Sequence, residues 1–143
     1  MGLIFFMSAQ PADESSAQSS VAAQLIGHIF VDGFDEMPAE EQTAYCESIM
    51  TPVRKCAHFT EYFVLGGLML LVIGHEEKRR WLISLVFCAV YAEADEFHQL
   101  FVEGRACRFL DVCIDSAGSL TGILITALGI YIVRKIIKKR EAT

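Results

Sequence analysis

The sequence predicts an all-α, polytopic membrane helix bundle. Three full transmembrane helices are expected, with an N-terminal stub of a fourth and short amphipathic helices on the outer face. Three observations carry this. The apolar residues, 53% of the 143-residue chain, fall in a few long blocks, and the mean hydropathy is +0.39. The charges, 21% of residues, are segregated by sign. The ionisable residues within or beside the blocks gather at one end of each. A disordered chain would be poor in apolar residues, and the length suits one domain. The net charge of −6 and pI near 5.1 argue against a nucleic-acid partner held by a basic surface.

Each element follows from its residues. A span needs roughly 20 mostly apolar residues to cross about 30 Å of hydrocarbon. Residues 112–133 meet this, with Asp115 and Ser116 near the start and an uninterrupted apolar run behind them. Residues 57–74 form a second span, with His58 and Glu61 close to its beginning. Residues 81–99 form the third, apolar to Ala92 and then polar at Glu93, Asp95, Glu96, His98 and Gln99. Residues 1–7 are apolar and far too short to span. They lack the basic start and small-residue cleavage site of a signal peptide and read as the remnant of a first helix. The whole of 1–143 is expected to form one membrane domain.

Charge sets the expected orientation. Lys78, Arg79 and Arg80 follow the second block, and Arg134, Lys135, Lys138, Lys139 and Arg140 occupy the tail 134–143. These are eight of the 12 basic residues, so both segments are expected on the cytoplasmic side. Residues 8–53 carry eight acids and no Lys or Arg. That segment, with 100–110, is expected on the outer side of the membrane. Within it, Ser15, Ser16 and Ser19 are expected to cap one short amphipathic helix, which Gly33 breaks. Pro38 starts a second, with Glu40 and Glu41 near its positive end.

With this topology the polar residues fall into stripes at the outer ends. Arg54, His58, Glu61 and Leu65 share one helix face; Ala92, Asp95, Glu96 and Gln99 share another; Asp111, Asp115, Gly118 and Gly122 share a third. Gly118 and Gly122 make a small-xxx-small face that admits another helix closely, which turns the two aspartates inward. Charges at membrane depth are costly unless paired. Three readings remain open. The first is an outward-facing polar pocket for a phosphate-bearing or other polar headgroup, with the arginines as anion ligands. The second is a membrane-embedded hydrolase or transferase acting on an envelope lipid or precursor headgroup. There His58, Glu61, Asp95, Glu96 and Asp115 are the catalytic candidates, because crowded acids raise one another's pKa and His58 suits a base. The third is a structural or partner-binding subunit in which ion pairs, Arg54 with Glu61 and Arg105 with Asp95 or Asp115, hold the helices together.

Other signals are set aside. Asp95 to His98 imitates a helicase box, but no GxxxxGK[ST] loop accompanies it, and His58 to Glu61 lacks the second histidine of a zinc protease. No cofactor is evident. A divalent cation on Asp, Glu and His stays open, with no diagnostic spacing. His28 reads as an interfacial side chain. The cysteines, Cys46, Cys56, Cys88, Cys107 and Cys113, have no C-x-x-C spacing and read as free thiols, with Cys88 as a small apolar residue in mid-membrane.

Four blocks in order, FMSAQP (6–11), RKCAHFTEY (54–62), DEFHQLFVEGR (95–105) and DVCIDSAG (111–118), resemble the VanZ-like family of bacterial integral membrane proteins. Together they cover nearly the whole chain. The resemblance implies a small membrane domain, usually of four or more helices, whose name-giving members are associated with resistance to glycopeptides, teicoplanin in particular. It carries the family's recurring polar positions onto Ser8, Gln10, Arg54, Lys55, His58, Glu61, Tyr62, Asp95, Glu96, Gln99, Arg105, Asp111 and Asp115. Of these, Ser8, Gln10, Arg54, Lys55, Tyr62, Gln99, Arg105 and Asp111 are the expected ligand-binding set. The implied partners are the lipid bilayer and an envelope lipid, peptidoglycan precursor or glycopeptide. Two departures stand out. The family opens with a full first helix, and Glu103 replaces a proline frequent in relatives.

Overall fold

A computed structural model describes residues 1–73 and 78–141. Among them every regular element is helical: α1 (Gly2–Ser8), α2 (Ala12–Phe30), a 3₁₀ turn (Phe34–Glu36), α3 (Ala39–Val72), α4 (Arg80–Gln99) and α5 (Phe109–Glu141). The expected end of the second span at Gly74 and the last two tail residues lie outside the described residues. The chain divides into two compact units. One comprises Met1–Ala57 and Asp95–Cys107, the other His58–Ala94 and Arg108–Thr143.

In the first unit, α2 starts earlier than its serines suggest. Pro11 occupies the N-cap and Asp13 and Glu14 the first turn, where the helix dipole favours acids. The Ala12 amide donates to the Glu103 carbonyl at 3.1 Å. A loop contact from distant sequence therefore satisfies the opening of the helix. The serines lie inside it, Ser19 Oγ donating back to the Ser15 carbonyl at 2.9 Å. The expected serine caps are thus corrected. The break at Gly33 holds: Gly33 has φ 73°, which glycine adopts without a Cβ penalty. The turn it makes drives Phe34, 2% exposed, into a small core with Ala23 and Cys46. Gly27 makes room there, since a Cβ at that position would stand 2.6 Å from the Phe34 ring. His28 pairs with Asp35 and meets the Phe34 ring edge-on, beyond the interfacial role expected of it.

The second outer helix is not short. It begins after Pro38, as expected, with Glu40 and Glu41 in its first turn, but runs without a break to Val72 as α3. The second helix of the outer segment and the expected span 57–74 are therefore one element. Pro52 lies inside it. Proline's φ suits a helix, and only one amide bond, to the Ser48 carbonyl, is lost. The helices expected over 81–99 and 112–133 fall within α4 and α5. The helix of α5 continues through the basic residues to Glu141.

In the second unit α3 and α5 pack backbone to backbone. A Cβ on Gly118 would strike the Phe59 carbonyl oxygen, one on Gly122 that of Phe63, and one on Gly66 that of Ser119. The small-residue face expected on α5 is thus met by α3, through Gly66 as well. On α4, Ser84, Cys88 and Ala92, all 0% exposed, form its inward face.

Outward, α5 shows Leu124, Ile125, Leu128, Tyr131, Ile132 and Val133 on all sides, and only 11% of its most apolar stretch is buried. The matching stretch of α3 is 28% buried. A core helix of a water-soluble protein would be mostly buried; exposed apolar area on this scale marks a lipid-facing or partner-facing surface. By length and composition α3 and α5 are able to cross a membrane. α4 is not among these two; Glu93, Asp95 and Glu96 crowd its last turns.

Candidate functional site

The polar residues at the end of α4 are buried. Asp95 is 3% exposed, Glu96 2% and Gln99 4%, so the stripe read from Ala92 to Gln99 does point inward. Carboxylates and an amide at such depth need polar neighbours. In the first unit α1 supplies one. Ser8, 1% exposed, donates from Oγ to Asp95 Oδ2 at 2.6 Å, joining residues 87 positions apart. Beneath it Phe5 stacks on His98 at 4.4 Å.

Beyond Gln99 the chain tightens. The amides of Leu100, Phe101 and Val102 donate three residues back, to Phe97, His98 and Gln99, and the Arg105 amide donates to Val102. This winding returns Arg105 to α1's end, where its Nε donates to the Gln10 carbonyl at 3.3 Å. Gly104, at φ 72°, lies where a Cβ would press on Ala12. Arg105 is half-buried. Burial pushes its guanidinium below the usual range, and the charge of Arg54 on α3 pushes the same way, while Glu96 and Asp95 oppose. Two guanidiniums thus lie near enough to repel. Neither makes an ion pair among the described residues, so the expected pair of Arg105 with Asp95 does not form there, although the Asp95 charge acts on Arg105. The buried Gln99 Nε2 also has no acceptor among the described residues.

The structure therefore brings Ser8 to Asp95, Gln10 to Arg105, and Arg54 into the field of Arg105. Lys55 is half-buried one residue along α3. The other candidates belong to the second unit. Tyr62 is fully buried with its ring 6.2 Å from that of Tyr91, and Asp115 is 1% exposed; His58, Glu61 and Asp111 are half-buried. Sequence reasoning missed Ser119 and Ser84, both 0% exposed, and Tyr91. Ser119 was accessible to it, lying four residues after Asp115; its Oγ donates to the Asp115 carbonyl at 3.1 Å.

Among the described residues no three His, Cys, Asp or Glu side chains converge as a metal set. None of the five cysteines, all among the described residues, forms a disulfide. Cys46 is not at the surface of the outer segment but in the core beside Phe34, and Cys88 is buried as expected. A surface recess lined by Ala39, Glu40, Thr43, Ala44 and Glu47 holds none of the candidate residues.

Helices that expose apolar side chains all round, together with buried acids and half-buried arginines at helix ends, define a small helical membrane protein with a polar cluster. The VanZ/LLP1 family model matches residues 1–132, and the chain belongs to that family. No curated protein and no solved structure matches it.

Proposed function

We propose that the chain is a bacterial cell-envelope protein whose outward-facing polar cluster binds an anionic envelope component, and that it lowers susceptibility to teicoplanin-type glycopeptides. In this reading α4 is a third span beside α3 and α5, the C-terminus is cytoplasmic, and residues 8–53 and 100–110 lie outside. The observation that carries the reading is the gathering of donors at one place: Arg105 and Arg54 lie in one another's field beside Glu96 and Asp95, and Gln99 Nε2 has no acceptor among the described residues. Like charges gathered in a half-buried setting repel, and an anion supplies the acceptors that relieve this. A phosphate or carboxylate on a lipid, a peptidoglycan precursor or the glycopeptide itself fits these donors. The glycopeptide link rests on the family.

The phenotype is tested by expressing the chain in a sensitive Gram-positive host. The wild type is expected to raise the teicoplanin concentration that stops growth; Arg105→Gln, at equal membrane level, is expected to lose that gain. Full retention by the variant contradicts the reading. The orientation is tested with a chain that keeps Cys107, which is exposed, and has the other cysteines replaced by serine. An impermeant maleimide is expected to label it in intact cells. Labelling only after lysis reverses the assignment.

The bond from Ser8 to Asp95 favours a second, structural role for one member of the cluster, because it ties α1 to α4. On this reading Asp95 is one of the groups that hold the site, and the arginines meet the ligand.

A further inference from the structure

Helix α2 has three faces rather than two. At about 100° per residue, with Val21 at zero, Leu25 lies near 40° and Ile29 near 80°; Ser19, Ala23 and Gly27 lie near 160°, 200° and 240°; His28 and Gln24 lie near −20° and −60°. The Ser19, Ala23 and Gly27 face is buried against the Phe34 core. Val21, Leu25 and Ile29 are 59%, 56% and 70% exposed; one turn earlier the exposed Gln18 stands on the same side, near 60°. Gln24 and His28 are exposed and polar, and His28 is held by Asp35. One face therefore meets protein, the next is apolar and uncovered, and the third is hydrophilic.

Charge restricts what covers the apolar face. From Ser15 to Phe30 there is no Asp, Glu, Lys or Arg, whereas Asp13 and Glu14 precede this stretch and Asp32, Asp35 and Glu36 follow it. The helix is too polar to cross a bilayer, and it sits in a chain with two helices able to do so. We propose that α2 lies along the bilayer surface, with Val21, Leu25 and Ile29 in the acyl layer and Gln24 and His28 turned to water. An in-plane helix of this kind buries its apolar face about 5–10 Å into the headgroup and acyl boundary. No Lys or Arg stands between residues 8 and 53, so the attraction is apolar and does not require anionic lipid.

The test uses the full chain reconstituted in phosphatidylcholine vesicles, with Trp81, its one tryptophan, changed by Trp81→Phe. Leu25→Trp, and independently Ile29→Trp, are expected to emit at short wavelength and to be quenched by phosphatidylcholine brominated on its acyl chains. Gln24→Trp is expected to be quenched by aqueous iodide at least about threefold more strongly than either, since it faces away from the acyl layer. Added phosphatidylglycerol is expected to change neither pattern. Equal iodide quenching at all three positions places the face in water and overturns the proposal. So does protection from both quenchers together with disulfide-linked dimers of Leu25→Cys, which would make a second copy of the chain the cover.

Discussion

Gly122→Leu is expected to remove most of the folded protein. A Cβ at this position would fall on the Phe63 carbonyl, with its carbon at 2.8 Å and the Phe63 Cα at 3.1 Å. The obstruction is backbone, so no rotamer change relieves it and α3 must move away from α5. That movement also opens the contacts of Gly118 with Phe59 and of Gly66 with Ser119. Overpacking of a tight site costs about 1–3 kcal/mol, occasionally more. Several close approaches on one seam put this substitution at the upper end, about 3 kcal/mol or beyond. The measurement is the denaturant midpoint of the purified chain in mild detergent, with membrane yield beside it. Gly129→Leu on the same helix is the control, because a Cβ there meets nothing within 4 Å. Equal effects from the two substitutions would remove the close seam from the explanation of stability.

Breaking the bond between Ser8 and Asp95 is expected to have the next largest effect. The hydroxyl donates at 2.6 Å to a carboxylate that is almost wholly buried. Hydrogen bonds to a charged group contribute about 1.5–3 kcal/mol, and removing one partner leaves the other to bear its desolvation. Ser8→Ala is therefore expected to lower stability by about 2 kcal/mol. The cleaner measure is a double-mutant cycle with Asp95→Ala, which removes the acceptor, and in which the pair shows a coupling of about 1 kcal/mol or more. Strictly additive effects would mean that the two residues act separately. Ser8 is also expected to tolerate Thr, which keeps the hydroxyl, better than Ala.

Much of this arrangement is legible in the sequence because membrane helices obey few rules. The inward face of α4 follows from the spacing of Ala92, Asp95, Glu96 and Gln99, and that of α5 from Asp115, Gly118 and Gly122. Both are periodic signals, and periodicity is what an amphipathic helix imposes on sequence. The misread parts depend on tertiary contacts or on missing stop signals. The start of α2 is fixed by the Glu103 carbonyl, a partner some 90 residues away that no cap motif reveals. α3 extends from Ala39 because neither Pro52 nor the glycines at 66 and 67 end it, and a single proline removes one bond without forcing a stop. The expected ion pair of Arg105 fails for a different reason. Charge balance suggests that Arg105 pairs with Asp95, yet its Nε reaches a backbone carbonyl and its charge stands in the combined field of Arg54, Glu96 and Asp95. Residue counts give the charges in a region but not which of them face one another.

The proposed anion site at Arg105 and Arg54 is tested most simply by direct binding. The purified chain in neutral detergent is titrated with inorganic pyrophosphate while its thermal midpoint is followed. The wild type is expected to show a saturable rise, since a ligand that binds only the folded state stabilises it by mass action. Arg105→Gln is expected to weaken the apparent affinity by about 10–100-fold, the equivalent of one charge-assisted hydrogen bond or two. A wild-type midpoint that does not move, or a rise that Arg105→Gln leaves intact, would contradict anion binding at this site.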